Sequence, residues 1–221
     1  MKVLIACEES QAVCKEFRKL GHEAYSCDLY GCSGGHPEWH IKGDVLHLID
    51  FNGPHEHTDG GIVFHVMDMN CDAIRIDKWD LLIAHPPCTY LSNAGARFLY
   101  PGGKLNLDRF GKGIVAKQFF MKLLNAPIDK IVVENPIQSK VFGIPKYNQI
   151  IEPYQFGHPF KKRTCLWLKN LPELKHTKVL EKPESTKIAG NWFNKGGKDR
   201  QKNRSKTFPG IAKAMAKQWG K

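Results

Sequence analysis

A cysteine and a glutamate each follow a short apolar run that ends in a turn containing proline, and both residue types can do chemistry. The apolar run at 80–84 leads through His85 and two prolines to Cys88, and the run at 130–133 leads to Glu134, Asn135 and Pro136. Proline fixes φ and lacks a backbone donor, so a strand is expected to end at each turn. A thiol is a nucleophile and a carboxyl group can transfer a proton, so Cys88 and Glu134 form a candidate catalytic pair. A small core cysteine beside a proline turn is the alternative interpretation.

The elements that would position this pair alternate between strands and helices. Apolar runs at 2–6, 22–27, 80–84 and 130–133 predict strands, and periodic stretches at 10–20 and 110–125 predict helices. This alternation predicts an α/β fold with a doubly wound, mostly parallel sheet. Runs at 150–156 and 164–168 predict an antiparallel hairpin at one edge of that sheet. In the second helix the expected buried stripe consists of Ile114, Val115, Phe119, Leu123 and Leu124.

Sheets of this kind bind their ligands at the carboxyl ends of the strands. Glu8 and Glu9 follow the first predicted strand, Asp28 follows the second, and Cys88 and Glu134 follow the two later ones. If these strands are parallel, all five residues lie along one edge of the sheet. The sequence therefore predicts a site at this edge, although each carboxylate taken alone also fits a solvated loop.

The charge balance indicates a polyanionic partner. The 221 residues include 33 Lys and Arg against 22 Asp and Glu, a formal net charge of +11. Nucleic acid is the partner we expect, and a purely solubilising role is the alternative. The segment 169–206 alone carries seven of these net charges and also contains Trp192 and Phe193. Basic residues interleaved with aromatic ones suit phosphate contacts and base stacking, while a solvated loop with one buried tryptophan is the alternative.

Cysteine spacing and hydropathy exclude several other classes of protein. The seven cysteines form no CxxC pair and do not resemble a disulfide framework. Cys27, Cys32, His36 and His40 lie close together, but their spacing matches no common zinc finger, so we expect no metal. No apolar run approaches the roughly 18 residues of a membrane span, and no signal cleavage site follows the first apolar run. We therefore expect a cytoplasmic protein with no membrane partner.

Pro86-Pro87-Cys88, Glu134-Asn135-Pro136, the stretch 155–163 and a final helix occur here in an order and spacing similar to those of the DNA cytosine-5 methyltransferases. The chain resembles compact members of that family from bacteria and bacteriophages over nearly its whole length. The resemblance implies a Rossmann-like methyltransferase fold, S-adenosylmethionine as cofactor, and double-stranded DNA as substrate with the target cytosine flipped out. It also implies a catalytic core at 1–168, a short basic DNA-contacting segment at 169–206 and a helix at 207–221 packed back on the core. A second subunit would supply sequence recognition if that segment is too short to do so.

The resemblance also implies roles for individual residues. Cys88 would add to C6 of cytosine, Glu134 would serve N3, and Arg163 would hold O2. Asp28 would bind the ribose hydroxyls, Asp44 the adenine amino group, and Pro86 would line the methionine side. The full set of expected cofactor contacts is Glu8, Glu9, Ser10, Asp28, Leu29, Asp44, Val45 and Pro86. The expected DNA contacts are Ser92, Asn93, Arg97, Lys161, Lys162, Trp192, Lys195, Lys198, Arg200, Lys202 and Arg204.

The sequence departs from the family pattern at four places. One is the segment 169–206, which is shorter than the family's usual target-recognition region; the other three are short stretches. The first turn, at 6–11, has no glycine; Thr89 follows the cysteine where glutamine is common; and 161–163 reads Lys-Lys-Arg, which could move the O2 contact by one residue. Two other functions therefore stay open. One is a DNA-binding or cofactor-binding protein on the same fold without turnover. The other is an enzyme that uses Cys88 and Glu134 to attach a different group to cytosine, or that acts on RNA or a free nucleotide.

Overall fold

A computed structural model describes residues 1–49, 56–58, 61–70, 72–181, 183–185 and 205–221. Its main sheet has seven strands, which are β1 (Lys2–Ala6), β2 (Glu23–Asp28), β3 (His40–Lys42), β7 (Leu81–Ala84), β8 (Lys130–Pro136), β9 (Gln149–Ile151) and β11 (Thr164–Lys169). Strands β4 (Glu56–Thr58), β5 (Gly61–Met67) and β6 (Ala73–Ile76) form a separate antiparallel sheet. The short strands β10 (Phe160–Lys161) and β12 (Glu184–Ser185) pair with each other.

The order of the main sheet is β3-β2-β1-β7-β8-β11-β9, and its first five strands are parallel. Strands β2 and β3 follow one another on one side of β1, and strands β7 and β8 follow one another on its other side. This reversal between β1 and β7 is the feature of a doubly wound sheet, beside which ligands bind. Strand β11 runs antiparallel between β8 and β9. The predicted fold class is therefore confirmed, with β9 rather than β11 at the edge of the sheet.

Helices cover both faces of this sheet. Helices α1 (Ala12–Lys19) and α5 (Pro209–Trp219) pack on one face, α2 (Leu46–Ile49) and α4 (Leu107–Leu124) pack on the other, and α3 (Asn93–Ala96) is a single turn. Side chains of β1 point alternately to the two faces of the sheet, with Val3 and Ile5 on the α1/α5 face and Leu4 and Ala6 on the α4 face. This alternation decides which residues at the strand ends share an environment.

Helix α4 is rotated relative to the sequence prediction. Leu123 is buried as predicted, but Ile114 and Val115 are exposed, so that part of the stripe was wrong. Gly113 faces the core instead, because the Phe142 ring packs directly on the helix: a Cβ at position 113 would lie 2.1 Å from Cζ of Phe142. Glycine carries no hydrophobic signal, so the sequence pattern did not reveal this contact.

The described part of the chain gives no structural sign of a membrane span, a disulfide or a metal centre. None of its helices is both long enough and apolar enough to cross a bilayer. None of its cysteines is in a disulfide, and no group of His, Cys, Asp and Glu side chains in it could hold a metal ion. His40, one of the four residues weighed for zinc, has its ring nitrogens 2.8 Å from the Ser26 hydroxyl and 2.9 Å from the Tyr30 carbonyl oxygen.

Candidate active site

The turn after β1 reaches its shape without glycine. Cys7 (φ 59°) and Gln11 (φ 55°) both have the left-handed backbone conformation that favours glycine. Gln11 is fully buried, and its side-chain amide donates to the carbonyl of His36 (2.7 Å) and accepts from the N–H of His36 (3.1 Å). A left-handed non-glycine residue costs about 1 to 3 kcal/mol and persists only where its surroundings fix it. The loop that contains His36 therefore helps to hold this turn.

Glu8 lies beneath the turn and caps helix α1. It is 5% exposed, and its carboxylate accepts hydrogen bonds from the backbone N–H groups of Val13 (2.7 Å) and Cys14 (3.2 Å). Burial raises the pKa of Glu8, while the charge of His85 and the two N–H groups act in the opposite direction. A carboxylate enclosed in this way stabilises the first turn of the helix and is poorly placed to meet a ligand at the surface.

Two acidic residues stand together at the ends of β2 and β3. Asp28 ends β2 and Asp44 follows β3, and both raise the pKa of the buried Cys7 thiol, although burial is the larger cause. One oxygen of Asp28 accepts from the N–H of Tyr30 (3.0 Å), and one oxygen of Asp44 accepts from the N–H of Leu46 (2.9 Å). Burial also raises the pKa of Asp28. The ends of the first three strands thus share one acidic neighbourhood.

The other predicted cofactor residues differ in exposure. Leu29 follows Asp28 and is 69% exposed, so an apolar surface is available at the end of β2. Glu9 and Ser10 are partly exposed, whereas Val45 and Pro86 are buried. Acidic groups beside an apolar surface are what a doubly wound sheet offers to a nucleoside.

Cys88 stands on the turn that stops β7. Ala84, the last residue of that strand, pairs with Val133 of β8. The residues that follow Ala84 therefore lie beside the residues that follow Val133. The carbonyl oxygen of Cys88 accepts from the N–H of Ser92 (3.0 Å), which closes the turn. Cys88 is partly exposed. The turn thus presents this cysteine at the carboxyl edge of the sheet.

Two contacts tie the Cys88 turn to the Glu134 turn. The side-chain N–H of Asn135, a residue that is 1% exposed, donates to the carbonyl oxygen of Pro86 (2.7 Å). Nδ1 of His85 lies 3.1 Å from Oε2 of Glu134. Because β7 and β8 are parallel neighbours, the Cys88 turn and the Glu134-Asn135-Pro136 segment lie at the same edge of the sheet. The prediction that the strand ends before Glu134 was wrong, because these three residues remain in β8 and pair with β11. The structure nevertheless brings together the two segments that the sequence singled out.

Glu134 is partly buried, with its side chain 17% exposed, next to two basic side chains. It shares a small pocket with Lys162, Thr164, Ser205, Thr207, Phe208 and Ile211. Burial favours the neutral acid, but the hydrogen bond with His85 and the charges of His85 and Lys162 outweigh burial and lower the pKa of Glu134. The carboxyl group is consequently ionised at neutral pH.

Arg163 does not face Glu134. Its side chain is 67% exposed, and its Nε lies 3.6 Å from Oε1 of Glu152. Leu166 of β11 pairs with Glu134, and side chains alternate along an extended chain, so positions 162, 164 and 166 share the side of Glu134 while position 163 points away. The cation that lies beside Glu134 is therefore Lys162, one residue before the predicted arginine.

A basic and aromatic groove follows the Cys88 turn. It encloses about 360 Å³ and is lined by Tyr90, Arg97, Phe98, Pro101, Asn106, Asp108, Arg109 and Lys112. The guanidinium of Arg97 lies 4.6 Å from the ring centroid of Phe98, and that of Arg109 lies 5.0 Å from the ring centroid of Tyr90. Arg97 was among the predicted DNA contacts. Tyr90, Phe98 and Arg109 were missed because they are dispersed along the chain and come together only when α4 packs beside the turn.

The remaining predicted DNA contacts are distributed differently. Asn93 and Lys161 are exposed, whereas Ser92 is buried and its hydroxyl accepts from the N–H of Gly95 (3.3 Å) as the cap of α3. Trp192, Lys195, Lys198, Arg200, Lys202 and Arg204 lie outside the described residues.

Comparisons with known proteins add little to this geometry. No protein-family model matches the sequence, and no curated protein matches it. One of the solved structures that resemble the chain is a candidate DNA modification methyltransferase encoded within a prophage of E. coli. The two share 11% sequence identity and align with a TM-score of 0.42, over 89% of this chain and 56% of the other. The chain thus spans little more than half the length of that structure.

Proposed function

We propose that this chain is an S-adenosylmethionine-dependent DNA methyltransferase that makes 5-methylcytosine through a covalent Cys88 adduct. The observation that carries the proposal is the contact between two segments. A Pro-Pro-Cys turn follows β7, and a Glu-Asn-Pro segment ends the adjacent parallel strand β8 at the same edge; the hydrogen bond from Asn135 to Pro86 ties them together. That edge is where doubly wound sheets bind ligands.

A thiol and a carboxyl group at one place match what methylation of cytosine requires. C5 of cytosine is a poor nucleophile, so Cys88 gives its thiol proton to solvent and first adds to C6 as the thiolate. The electron pair of the C5=C6 bond then shifts toward N3, which is protonated through Glu134; because Glu134 is ionised at neutral pH, that proton must first reach its carboxylate. A cation that holds O2 stabilises this adduct, and Lys162 is better placed beside Glu134 than Arg163. Loss of the C5 proton to solvent later breaks the S–C6 bond and restores the thiolate.

The ends of the first three strands suit the proposed cofactor. When bound, S-adenosylmethionine supplies the methyl group that C5 accepts. Asp28 would accept hydrogen bonds from the ribose hydroxyls, Leu29 would cover the adenine, and Asp44 would accept from the adenine amino group. Glu9 would meet the amino group of the methionine, since Glu8 caps α1. Ser10, Val45 and Pro86 complete the proposed lining.

Double-stranded DNA is the proposed substrate. The net charge of +11 supports a polyanionic partner. The groove beside Tyr90 and Phe98 combines cations with aromatic rings, as nucleic-acid surfaces do. Residues 1–168 would form the catalytic core, 169–206 the DNA-contacting segment and 207–221 the helix that completes the core. A flipped cytosine would enter between the two turns, and a second subunit would contribute sequence recognition if the basic segment does not suffice.

Methyl transfer can be tested directly. The protein is incubated with duplex DNA and S-adenosylmethionine labelled in its methyl group, and the DNA is digested to nucleosides. Label is expected in 5-methyldeoxycytidine. Cys88→Ala should abolish the label and keep DNA affinity, whereas Cys32→Ala, which also removes a partly exposed cysteine, should keep both.

Each other outcome would support a different function. DNA binding without label in any nucleoside supports a protein on this fold that binds without turnover. Label found only in RNA or in a free nucleotide supports an enzyme whose substrate is not DNA. Label in 5-methyldeoxycytidine from Cys88→Ala would remove Cys88 from the mechanism.

A further inference from the structure

His85 is a buried titratable residue to which the chemistry above gives no role. It follows β7, and its side chain is 8% exposed. Its Nδ1 lies 3.1 Å from Oε2 of Glu134, while its Nε2 has no hydrogen-bond partner among the described residues. A buried polar atom without a partner is destabilising, so a histidine that only fills space would be better replaced by an apolar side chain. This position therefore points to a use for the proton of the ring.

Charged groups reach the ring from three other elements. Glu8 follows β1, Glu134 belongs to β8, and Lys162 precedes β11. Burial lowers the pKa of His85, but the hydrogen bond with Glu134 and the charges of both carboxylates outweigh burial and raise it, with Lys162 acting against them. Helix α5 contributes only uncharged side chains to the pocket beside Glu134. The contact with Glu134 therefore favours the protonated imidazole, which places a proton on Nδ1 between the two side chains.

Glu134 needs such a source of protons. An ionised carboxylate can accept a hydrogen bond, but it cannot protonate N3 of cytosine as negative charge develops there. Lys162 and His85 both lower the pKa of Glu134, so this carboxyl group does not keep a proton of its own at neutral pH. The imidazole, at 3.1 Å from Oε2, is within direct transfer distance.

We propose that His85 is a positioning residue that stores the proton which Glu134 delivers to the target cytosine, an inference that rests on the proposed function. The Nδ1 proton of His85 first moves to Glu134, which leaves a neutral imidazole and a neutral carboxyl group. The thiolate of Cys88, whose proton has passed to solvent, then bonds to C6, the C5=C6 electron pair shifts to N3, and N3 takes the proton from Glu134. After C5 has taken the methyl group and given its own proton to solvent, the S–C6 bond breaks to restore the thiolate, and the N3 proton returns through Glu134 to His85.

The pH dependence of turnover separates this role from a structural one. His85→Gln keeps an N–H donor of similar reach toward Glu134 but carries no transferable proton. We expect kcat of this variant to fall about 100-fold at neutral pH and to lose the decline at high pH that the wild type shows as His85 deprotonates. KM for DNA should stay unchanged. The control is His22→Gln, at the start of β2 on the opposite edge of the sheet, which should keep the wild-type kcat and pH profile.

Nitrogen NMR of the His85 ring provides a second measurement that does not depend on turnover. His85 should titrate above its ordinary pKa of 6.5 in the wild type and below it in Glu134→Gln. A wild type that yields no labelled 5-methyldeoxycytidine refutes the proposed function, and this role with it. An active wild type whose His85 titrates below 6.5 refutes the inference alone, even if His85→Gln fails to fold. A folded His85→Gln with the wild-type rate and decline at high pH refutes it as well.

Discussion

Replacing Asn135 by leucine tests whether the tie between the two turns positions the candidate catalytic pair. Leucine has nearly the shape of asparagine but can neither donate nor accept a hydrogen bond. In the wild type the side-chain amide of Asn135 donates to the carbonyl oxygen of Pro86 at 2.7 Å and accepts from the side-chain N–H of Gln138 at 2.8 Å. The variant therefore removes the donor from the turn that carries Cys88 and leaves the fold of the sheet otherwise intact.

The structure sets the size of the expected effects. A buried carbonyl that loses its donor costs about 1 to 3 kcal/mol, and the partly exposed contact with Gln138 adds about 0.5 kcal/mol or more. Burial of the leucine side chain offsets about 1 kcal/mol of this loss. We expect the free energy of unfolding to fall by about 0.5 to 2.5 kcal/mol. A displacement of a reacting group by about 1 Å can lower a rate about 100-fold, so kcat should fall between about 10-fold and 100-fold.

Urea unfolding followed by tryptophan fluorescence gives the stability, and label transfer to DNA gives kcat at a temperature where the variant stays folded. Gln149→Leu is the matched control, because the amide of Gln149 also makes two hydrogen bonds, both to the backbone of Leu174 (2.9 and 2.8 Å). It lies at the start of β9, two strands from Glu134 in the order β8-β11-β9, and both of these hydrogen bonds go to Leu174 rather than to the Cys88 turn. The control should lose stability and keep kcat. If Asn135→Leu loses stability but turns over at the wild-type rate, the tie does not position the pair.

Two other predictions concern the charges around Glu134. The fold raises the pKa of His85 above 6.5 and lowers that of Glu134 below 4.5. The stability that this pair contributes is therefore fully present between pH 4.5 and pH 6.5, and it is lost as the pH rises through the raised pKa of His85. The free energy of unfolding should fall there with a limiting slope of about 1.4 kcal/mol per pH unit, and urea unfolding of Glu134→Gln should lack this slope. Lys162→Met should lower kcat about 100-fold, while Arg163→Met should have little effect. If label transfer is slower in Arg163→Met than in Lys162→Met, Arg163 is the residue that contacts O2.

The sheet and its functional edge could be predicted because their signals are local. Strand β7, which ends before Cys88, is a fully apolar run, as expected where both faces are covered, and a proline turn stops it. Strand β8 has its apolar run at 131–133 and then continues through Glu134 to Pro136. Alternating strands and helices then require parallel pairing, which puts the strand ends on one edge. No detail of packing is needed for this result.

Contacts across the molecule could not be predicted in the same way. Lys162 and Arg163 are equally basic in sequence, and only the register of β11 against β8 selects Lys162 as the neighbour of Glu134. The register depends on how the hairpin docks on the sheet, which no local pattern encodes. The groove beside Tyr90 likewise depends on the packing of α4, a helix whose rotation is set by the contact of Gly113 with Phe142.

Glu8 shows how one backbone conformation can change a residue's role. Strict alternation along β1 would place Glu8 on the α4 face, together with Leu4 and Ala6. The left-handed conformation of Cys7 reverses this order: Cys7 packs against the α4-face cluster, and Glu8 turns toward the first turn of α1. On that side its charge acts on His85. A residue predicted to bind the cofactor therefore caps α1 and helps to raise the pKa of His85, and the inversion at Cys7 that causes this leaves no signal in the sequence.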